Sequence, residues 1–326
     1  MMEYYQLFNK IDETIKKADK VIVISHQNPD GDALGSMLGM RHYLKHHNIK
    51  HNLFCVSPIP EYLDFLPYVD SISDEEKILI DGKHDLVILL DSGDLQYAGV
   101  DIHFRKLKGL PIVINIDHHP TNQNYGHINL VHPKASSTSE IIFHFIDYLR
   151  IPFNKDVATQ LLTGILTDTG SFSNLSTTPS SMEVSSKLMA HGARVKEITQ
   201  KAFQNKSLSQ LQLWGRALSR LKEDSKTGII TTVLTQKDFD ELKMSDESSE
   251  GIANFLNSVE KAKAIMVLRE KADGTIKGSL RTTMSNVDVS KIAKFFGGGG
   301  HKKAAGFTIK GKLEEKENSW KVIPAK

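Results

Sequence analysis

Ser25-His26-Gln27-Asn28-Pro29-Asp30-Gly31-Asp32 crowds an imidazole and two carboxylates into the end of an apolar run, Val21-Ile22-Val23-Ile24. Comparable groups end other apolar stretches: Asp91 closes VILLD, Asp117, His118 and His119 close PIVINIDHH, and Asp168 lies in LTDTGSF. Carboxylates facing one place repel each other and raise each other's pKa unless cations sit among them. Imidazole and carboxylate without thiolate suit octahedral Mn²⁺, with Mg²⁺, Co²⁺ and Zn²⁺ as competitors. Two such ions, roughly 3.5–4 Å apart, bind a phosphoryl group, generate a hydroxide and stabilise an in-line displacement. The chemistry these residues imply is phosphoester hydrolysis.

Plainer readings compete with this one. Asn, Pro, Asp and Gly are turn formers, and Asp168 on its own reads as a turn or cap residue. His46-His47 is a second histidine pair, but it ends a polar helix beside Lys45 and Lys50 and reads as solvated surface. Gly31 and Gly35 do not make the G-x-G-x-x-G dinucleotide turn, no G-K-[ST] is present, and Asp30 and Asp32 would repel a bare pyrophosphate. Neither Ser25 nor Ser92 lies in a G-x-S-x-G elbow. What favours the metal reading is the set taken together, each member at the end of a strand or helix.

The elements that must position these groups alternate. Apolar strands are expected at 21–25, 51–56, 85–91 and 111–117, with a helix over 32–47 and further helices over 135–150 and 154–169. Continuous apolar strands between amphipathic helices predict an α/β fold with a mainly parallel, helix-covered sheet. Ligands gather beyond the carboxyl ends of such strands, where all of these residues fall. A polar helical stretch over about 182–223 reads as a connector. GIITTVLT, AKAIMVLRE, TIKGSLRTT, a helix near 288–296 and AGFTIKG then predict a smaller α+β domain. The expected division is residues 1–185, a helical connector over 186–225, and 226–326. The tail after Gly311 is rich in Lys and Glu and reads as a solvated end.

Bulk composition sets limits. A chain of 326 residues is long enough for about two domains, and 40% hydrophobic with 25% charged residues is the composition of a soluble globular protein. No apolar run is long enough to span a bilayer, the opening residues lack the pattern of a signal peptide, and one cysteine, Cys55, excludes an internal disulfide. A cytoplasmic location is expected. A net charge of +2 is too weak for a surface that clamps long duplex nucleic acid.

The motifs SHQNPDGDALGS, LLDSGD, IDHHPTN, LTDTGSF and GGGGHKKAAGF occur in an order that resembles the DHH/DHHA1 phosphoesterase superfamily and spans most of the chain. By length, the chain is most similar to the stand-alone branch of oligoribonucleases and 3′,5′-bisphosphate nucleotidases (pAp phosphatases), often called nanoRNases. The resemblance implies that His26, Asp30 and Asp91 hold one metal, and that Asp32, Asp91, His118 and Asp168 hold the other, with Asp91 as the bridge. It gives Asp117 a supporting role and His119 a contact with phosphate or leaving group.

The resemblance also gives the C-terminal motif a purpose. Gly298, Gly299 and Gly300 would let backbone amides approach a phosphate, His301 and Lys302 would add positive charge, and Arg281 would grip a second phosphate. For GGGG alone, a flexible turn beside incidental basic residues is the plainer reading. The expected activity is Mn²⁺-dependent conversion of very short RNA to 5′-mononucleotides and of pAp to AMP, with one domain holding metals and the other orienting the nucleotide across a cleft. Alternatives sharing the metal site are a cyclic- or linear-dinucleotide phosphodiesterase and a polyphosphatase or pyrophosphatase. A nucleotide-binding regulator with a degenerate site is the alternative from another class, and a homodimer is left open.

Overall fold

The computed structural model describes residues 4–81, 83–104, 111–245, 249, 251–260, 262–316 and 319–323. Packing divides the chain into two compact units, 1–205 and 206–326.

The first unit is built on six parallel strands: β1 Val21–Ile24, β2 His51–Phe54, β3 Ile72–Ser73, β4 Leu86–Leu90, β5 Ile112–Asp117 and β6 Ile128–Val131. Their spatial order is β3-β2-β1-β4-β5-β6. Helices α1 Tyr5–Lys16, α2 Gly31–His46, α3 Lys77–Asp81, α4 Asp101–Phe104, α5 Thr138–Tyr148, α6 Lys155–Asp168, α7 Pro179–Ala190 and α8 Val195–Ile198 accompany it. Both sheet faces are dry. Val21 and Val23 point into a core with Phe8, Met37, Ile142 and Leu161, whereas Ile22 and Ile24 point to Leu79, Val100 and Phe104. Burial on both faces is why the strands read as continuous apolar runs rather than as alternation.

Strand order reverses between β1 and β4, so the loops after these two strands part and leave a crevice at their carboxyl ends. His26 and Asp91 follow those two strands. The expected helices at 32–47, 135–150 and 154–169 appear as α2, α5 and α6 with ends shifted by one to three residues. Strands β3 and β6 were not expected.

The polar stretch expected over 182–223 is not one helix. It comprises α7, opened by a Thr178–Ser181 capping box with Pro179 at its first position, then α8, a π-helical turn at Thr199–Phe203, and α9 Leu208–Ser219. The boundary between the compact units falls after Asn205, inside this stretch.

The second unit holds β7 Lys222–Glu223, β8 Ile229–Leu234, α10 Gln236–Leu242, α11 Ile252–Leu256, β9 Ala264–Glu270, β10 Thr275–Arg281, α12 Val289–Phe295, β11 Gly299–Gly300 and β12 Ala304–Lys310. The strands form a mixed sheet, β11-β12-β10-β9-β8-β7, in which only β8 and β9 run parallel. The tail, expected to be a solvated end, instead forms a hairpin of β13 Lys312–Lys316 and β14 Ser319–Ile323, with Leu313 buried.

Candidate active site

The residues singled out in the first half come together. Asp30 is the N-cap of α2, its Oδ1 accepting from the amides of Asp32 (2.9 Å) and Ala33 (3.0 Å). This is the turn chemistry of the Asn-Pro-Asp-Gly segment, and it also fixes where Asp32 enters the site. Asp32 is wholly buried, its two oxygens accepting from the backbone amides of Thr138 (2.6 Å) and Ser139 (2.8 Å) at the start of α5. Asp91 sits in the left-handed region at φ 56°, and Thr138 Oγ1 donates to its Oδ1 at 2.9 Å.

The histidines point at these carboxylates. His26 Nδ1 donates to the carbonyl of Gln27 at 2.8 Å, which turns Nε2 toward Asp91 Oδ2, 3.5 Å away, and Asp30 Oδ1, 3.9 Å away. Tyr97 stacks on the same imidazole with ring centroids 5.0 Å apart. His118 Nε2 lies 3.1 Å from Asp168 Oδ2, 3.6 Å from Asp91 Oδ1 and 4.0 Å from Asp32 Oδ2. His119 Nδ1 is 2.7 Å from Asp117 Oδ1. Asp117 is itself held by the amides of His118 (2.8 Å) and His119 (3.2 Å) and by Asn122 Nδ2 (2.5 Å).

The electrostatics are those of a cluster short of positive charge. Burial, then repulsion from Asp91 and Asp168, holds Asp32 well above the usual carboxylate range. Burial also pushes Asp168 up to about 6, against its hydrogen bond with His118. Burial opposes charging His26, yet hydrogen bonds and charge from Asp30 and Asp91 push it up to about 12. His118 is raised in the same way by Asp168 and Asp91, against burial.

A divalent cation fits this donor set. Three combinations, His26 with Asp30 and Asp91, Asp32 with His118 and Asp168, and Asp91 with His118 and His119, each bring one donor atom per residue within 4.8 Å of one another. Two ligands across an ion at roughly 2.1 Å stand about 4.2 Å apart, so this spacing matches a first coordination shell.

Close approach of α2, α5 and α6 makes room for the cluster. A Cβ on Gly164 of α6 would stand 2.1 Å from Ser139 Oγ and 2.7 Å from Asp32 Oδ1. In an ordinary helix interior, Gly→Ala stabilises by about 1 kcal/mol. Here Gly164→Ala should destabilise by about 1–3 kcal/mol, the usual cost of overpacking, and lower the thermal midpoint. A raised midpoint would contradict this packing.

Glu140, in the first turn of α5, supports the amides that hold Asp32. Its Oε2 accepts from the amide and hydroxyl of Ser136, each at 2.7 Å, and its Oε1 from Ser180 Oγ at 2.5 Å. Burial raises this carboxyl's pKa, but hydrogen bonds with His144, Ser180 and Ser136 overcome it and bring the group from 4.5 down to about 2. A lowered folded pKa contributes stability above the unfolded value, and that stability is lost as pH falls from about 4.5 to about 2. Glu140→Gln should therefore cost about 1–3 kcal/mol at neutral pH and flatten acid unfolding across this window. Equal acid sensitivity of variant and parent in denaturant titrations would rule the assignment out.

The Thr138 and Ser139 amides that anchor Asp32 carry no mark in the sequence. Asn122, Tyr97 and Gly164 were missed. Asn122 lay within the quoted IDHHPTN, but nothing in its type or spacing marked it.

The C-terminal residues lie in the second unit. Arg281 ends β10 opposite Ala304, beside the turn carrying His301 and Lys302, both exposed. Lys303 is engaged, its Nζ donating to the carbonyl of Met284. The glycines differ. A Cβ on Gly298 would stand 2.1 Å from the carbonyl oxygen of Gly306, and one on Gly300 2.6 Å from Ala305 Cα, so β12 itself requires both glycines. Gly299 faces open space.

Residues 20–165 match the DHH family, N-terminal domain, and residues 215–323 match the DHHA1 domain. A bifunctional oligoribonuclease and PAP phosphatase, NrnA, of Thermus thermophilus is 33% identical, covering 94% of this chain and 90% of the relative. A probable bifunctional oligoribonuclease and PAP phosphatase of Streptococcus mutans is 29% identical, covering 92% of each. A crystal structure of an exopolyphosphatase-related protein from Bacteroides fragilis superposes with a TM-score of 0.84 at 29% identity, covering 93% of this chain and 90% of that one.

Proposed function

Since the chain belongs to the DHH family, with a DHHA1 domain following, we propose that it is a two-metal phosphoesterase that trims very short RNA to 5′-mononucleotides and converts pAp to AMP. The observation carrying this reading is the disposition of Asp91. Its Oδ2 faces His26 Nε2 at 3.5 Å and its Oδ1 faces His118 Nε2 at 3.6 Å, so one carboxylate serves two centres. His26, Asp30 and Asp91 would hold one cation, and Asp32, Asp91, His118 and Asp168 would hold the other. Mn²⁺ is the preferred ion, with Mg²⁺ and Co²⁺ as competitors. When bound, such a pair supplies Lewis acidity toward a phosphoryl group and eases deprotonation of water.

The chain's own groups orient that chemistry. The Gln27 carbonyl fixes the tautomer of His26, with Nδ1 protonated and Nε2 free to ligate. Asp117, anchored by two amides and Asn122, fixes His119 in the same sense and leaves its Nε2 toward a phosphoryl oxygen or leaving group. Burial lowers the pKa of His119, but its hydrogen bond to Asp117 and the charges of Asp91 and Asp117 raise it overall, which favours a ring that can donate a proton. In the second unit, Arg281, Gly298, Gly299, Gly300, His301 and Lys302 bind the nucleotide.

Assay of pAp, short RNAs, linear dinucleotides and cyclic dinucleotides with Mn²⁺, then with excess chelator, tests the proposal. Release of AMP from pAp and of mononucleotides from trimers is expected, with both lost on chelation. Turnover that survives chelation, tight nucleotide binding without turnover, or exclusive use of cyclic dinucleotides would overturn it.

A further inference from the structure

The loop after β4 holds His26 as well as carrying Asp91. Within it, the Tyr97 ring lies over the His26 imidazole, with centroids 5.0 Å apart and planes 30° from parallel. The Tyr97 carbonyl also accepts from the amide of Gln27 at 3.2 Å. Gln27 is the residue whose own carbonyl receives His26 Nδ1 at 2.8 Å. One residue therefore touches both the imidazole and the dipeptide that sets its tautomer. Such outer partners fix the plane in which a ligating histidine presents its free nitrogen.

Tyr97 is itself fixed. Its amide donates to Asp94 Oδ1 at 2.7 Å, the Asp94 carbonyl accepts from Ser92 Oγ at 2.8 Å, and Asp94 Oδ2 accepts from Gln123 Nε2 at 3.3 Å. The Ser92 carbonyl accepts from Asn122 Nδ2 at 3.1 Å and from the Tyr125 hydroxyl at 2.9 Å, which laces this loop to the one after β5. The two proposed centres are built differently. Asp32 of the second is wholly buried and anchored by two backbone amides, whereas the Asp30 side chain of the first is 47% exposed. The first centre therefore leans more on what holds His26. The contacts that Tyr97 makes there use its ring and backbone, not its hydroxyl.

We propose that Tyr97 is a positioning residue for the His26 centre. Its ring holds the imidazole so that Nε2 faces Asp91 Oδ2 and Asp30 Oδ1, and the affinity of that centre for a divalent cation depends on it. The centre of Asp32, His118 and Asp168 does not. This rests on the reading that His26, Asp30 and Asp91 form a metal centre, so its test measures metal binding apart from turnover.

The full chain, stripped of metal, is titrated with Mn²⁺ alone, and binding is followed by loss of the free-ion paramagnetic resonance signal. Two ions should bind to the parent. Tyr97→Leu should weaken one of them about 10–100-fold, the usual cost of losing an outer partner of a ligand, and leave the other within about twofold. Tyr97→Phe should restore both, and turnover of pAp by Tyr97→Leu should recover as Mn²⁺ is raised. In a His26→Asn background, which removes the centre in question, Tyr97→Leu should have no further effect on the remaining ion. Tyr97 is 47% exposed, so Tyr97→Leu should fold; if its thermal midpoint in chelator falls, Tyr97→Met replaces it. Full affinity for both ions in Tyr97→Leu, equal weakening of both, or a loss as large in Tyr97→Phe would overturn the assignment and leave the two-metal reading standing. Two ions still bound by His26→Asn would instead remove the metal reading on which the assignment rests.

Discussion

Asp91→Asn should reduce turnover of every phosphoester substrate by about 10³-fold or more while changing the unfolding free energy by less than about 1 kcal/mol. Removal of one well-placed electrostatic group at a reacting centre costs 10²–10³ in rate, and Asp91 faces both histidines, so its loss touches both centres. Asn is the informative replacement. Position 91 has φ 56°, a conformation that Asn tolerates and that costs Ala roughly 1 kcal/mol or more. Asn also keeps an oxygen for the Thr138 hydroxyl, 2.9 Å away, so the substitution removes charge rather than shape. Metal content measured after gel filtration should fall with activity, because the repulsion that burdens Asp32 and Asp168 comes partly from Asp91. A variant that retains normal turnover would end the two-metal reading, as would one that loses turnover with both ions still bound at full affinity.

The acidic cluster was legible because its members are side chains of unusual type at strand ends, and strand ends in a parallel sheet share an edge. The order of strands was not legible. Apolar runs at 21–25 and 85–91 announce strands but carry no mark that they are neighbours, and it is that adjacency which sets His26 against Asp91. Strand β3 has two residues and β6 has alternating burial, too short or too mixed to stand out from the loops around them. The support for Asp32 comes from backbone amides, which every residue possesses and no sequence displays. Gly164 was hidden for the opposite reason: an isolated glycine in a helical pattern usually lowers confidence in the helix, and only the packing of Ser139 and Asp32 against it supplies its purpose. In the tail, Lys and Glu at alternate positions concealed a hairpin whose inward residues are few, Leu313 among them.

A labelled trimer should outcompete a labelled single-stranded twenty-mer, with kcat/KM at least about tenfold higher at equal Mn²⁺ and salt. Affinity for a long strand grows with the number of phosphates neutralised, each adding about 0.7 to the slope of log affinity against log salt. A net charge of +2 offers little general attraction for such a strand. Lys303, which could extend a basic track beyond His301 and Lys302, is committed to the carbonyl of Met284. Contacts to about two phosphates give a slope near 1.4, so binding should weaken only about sevenfold between 50 and 200 mM salt, against about 3 × 10²-fold or more for a protein that follows six to ten phosphates of a single strand. Further nucleotides then add ordering cost without matching contacts. Equal efficiency on the twenty-mer, or a steep salt dependence shared by both substrates, would assign the chain to degradation of long strands instead of clearance of fragments.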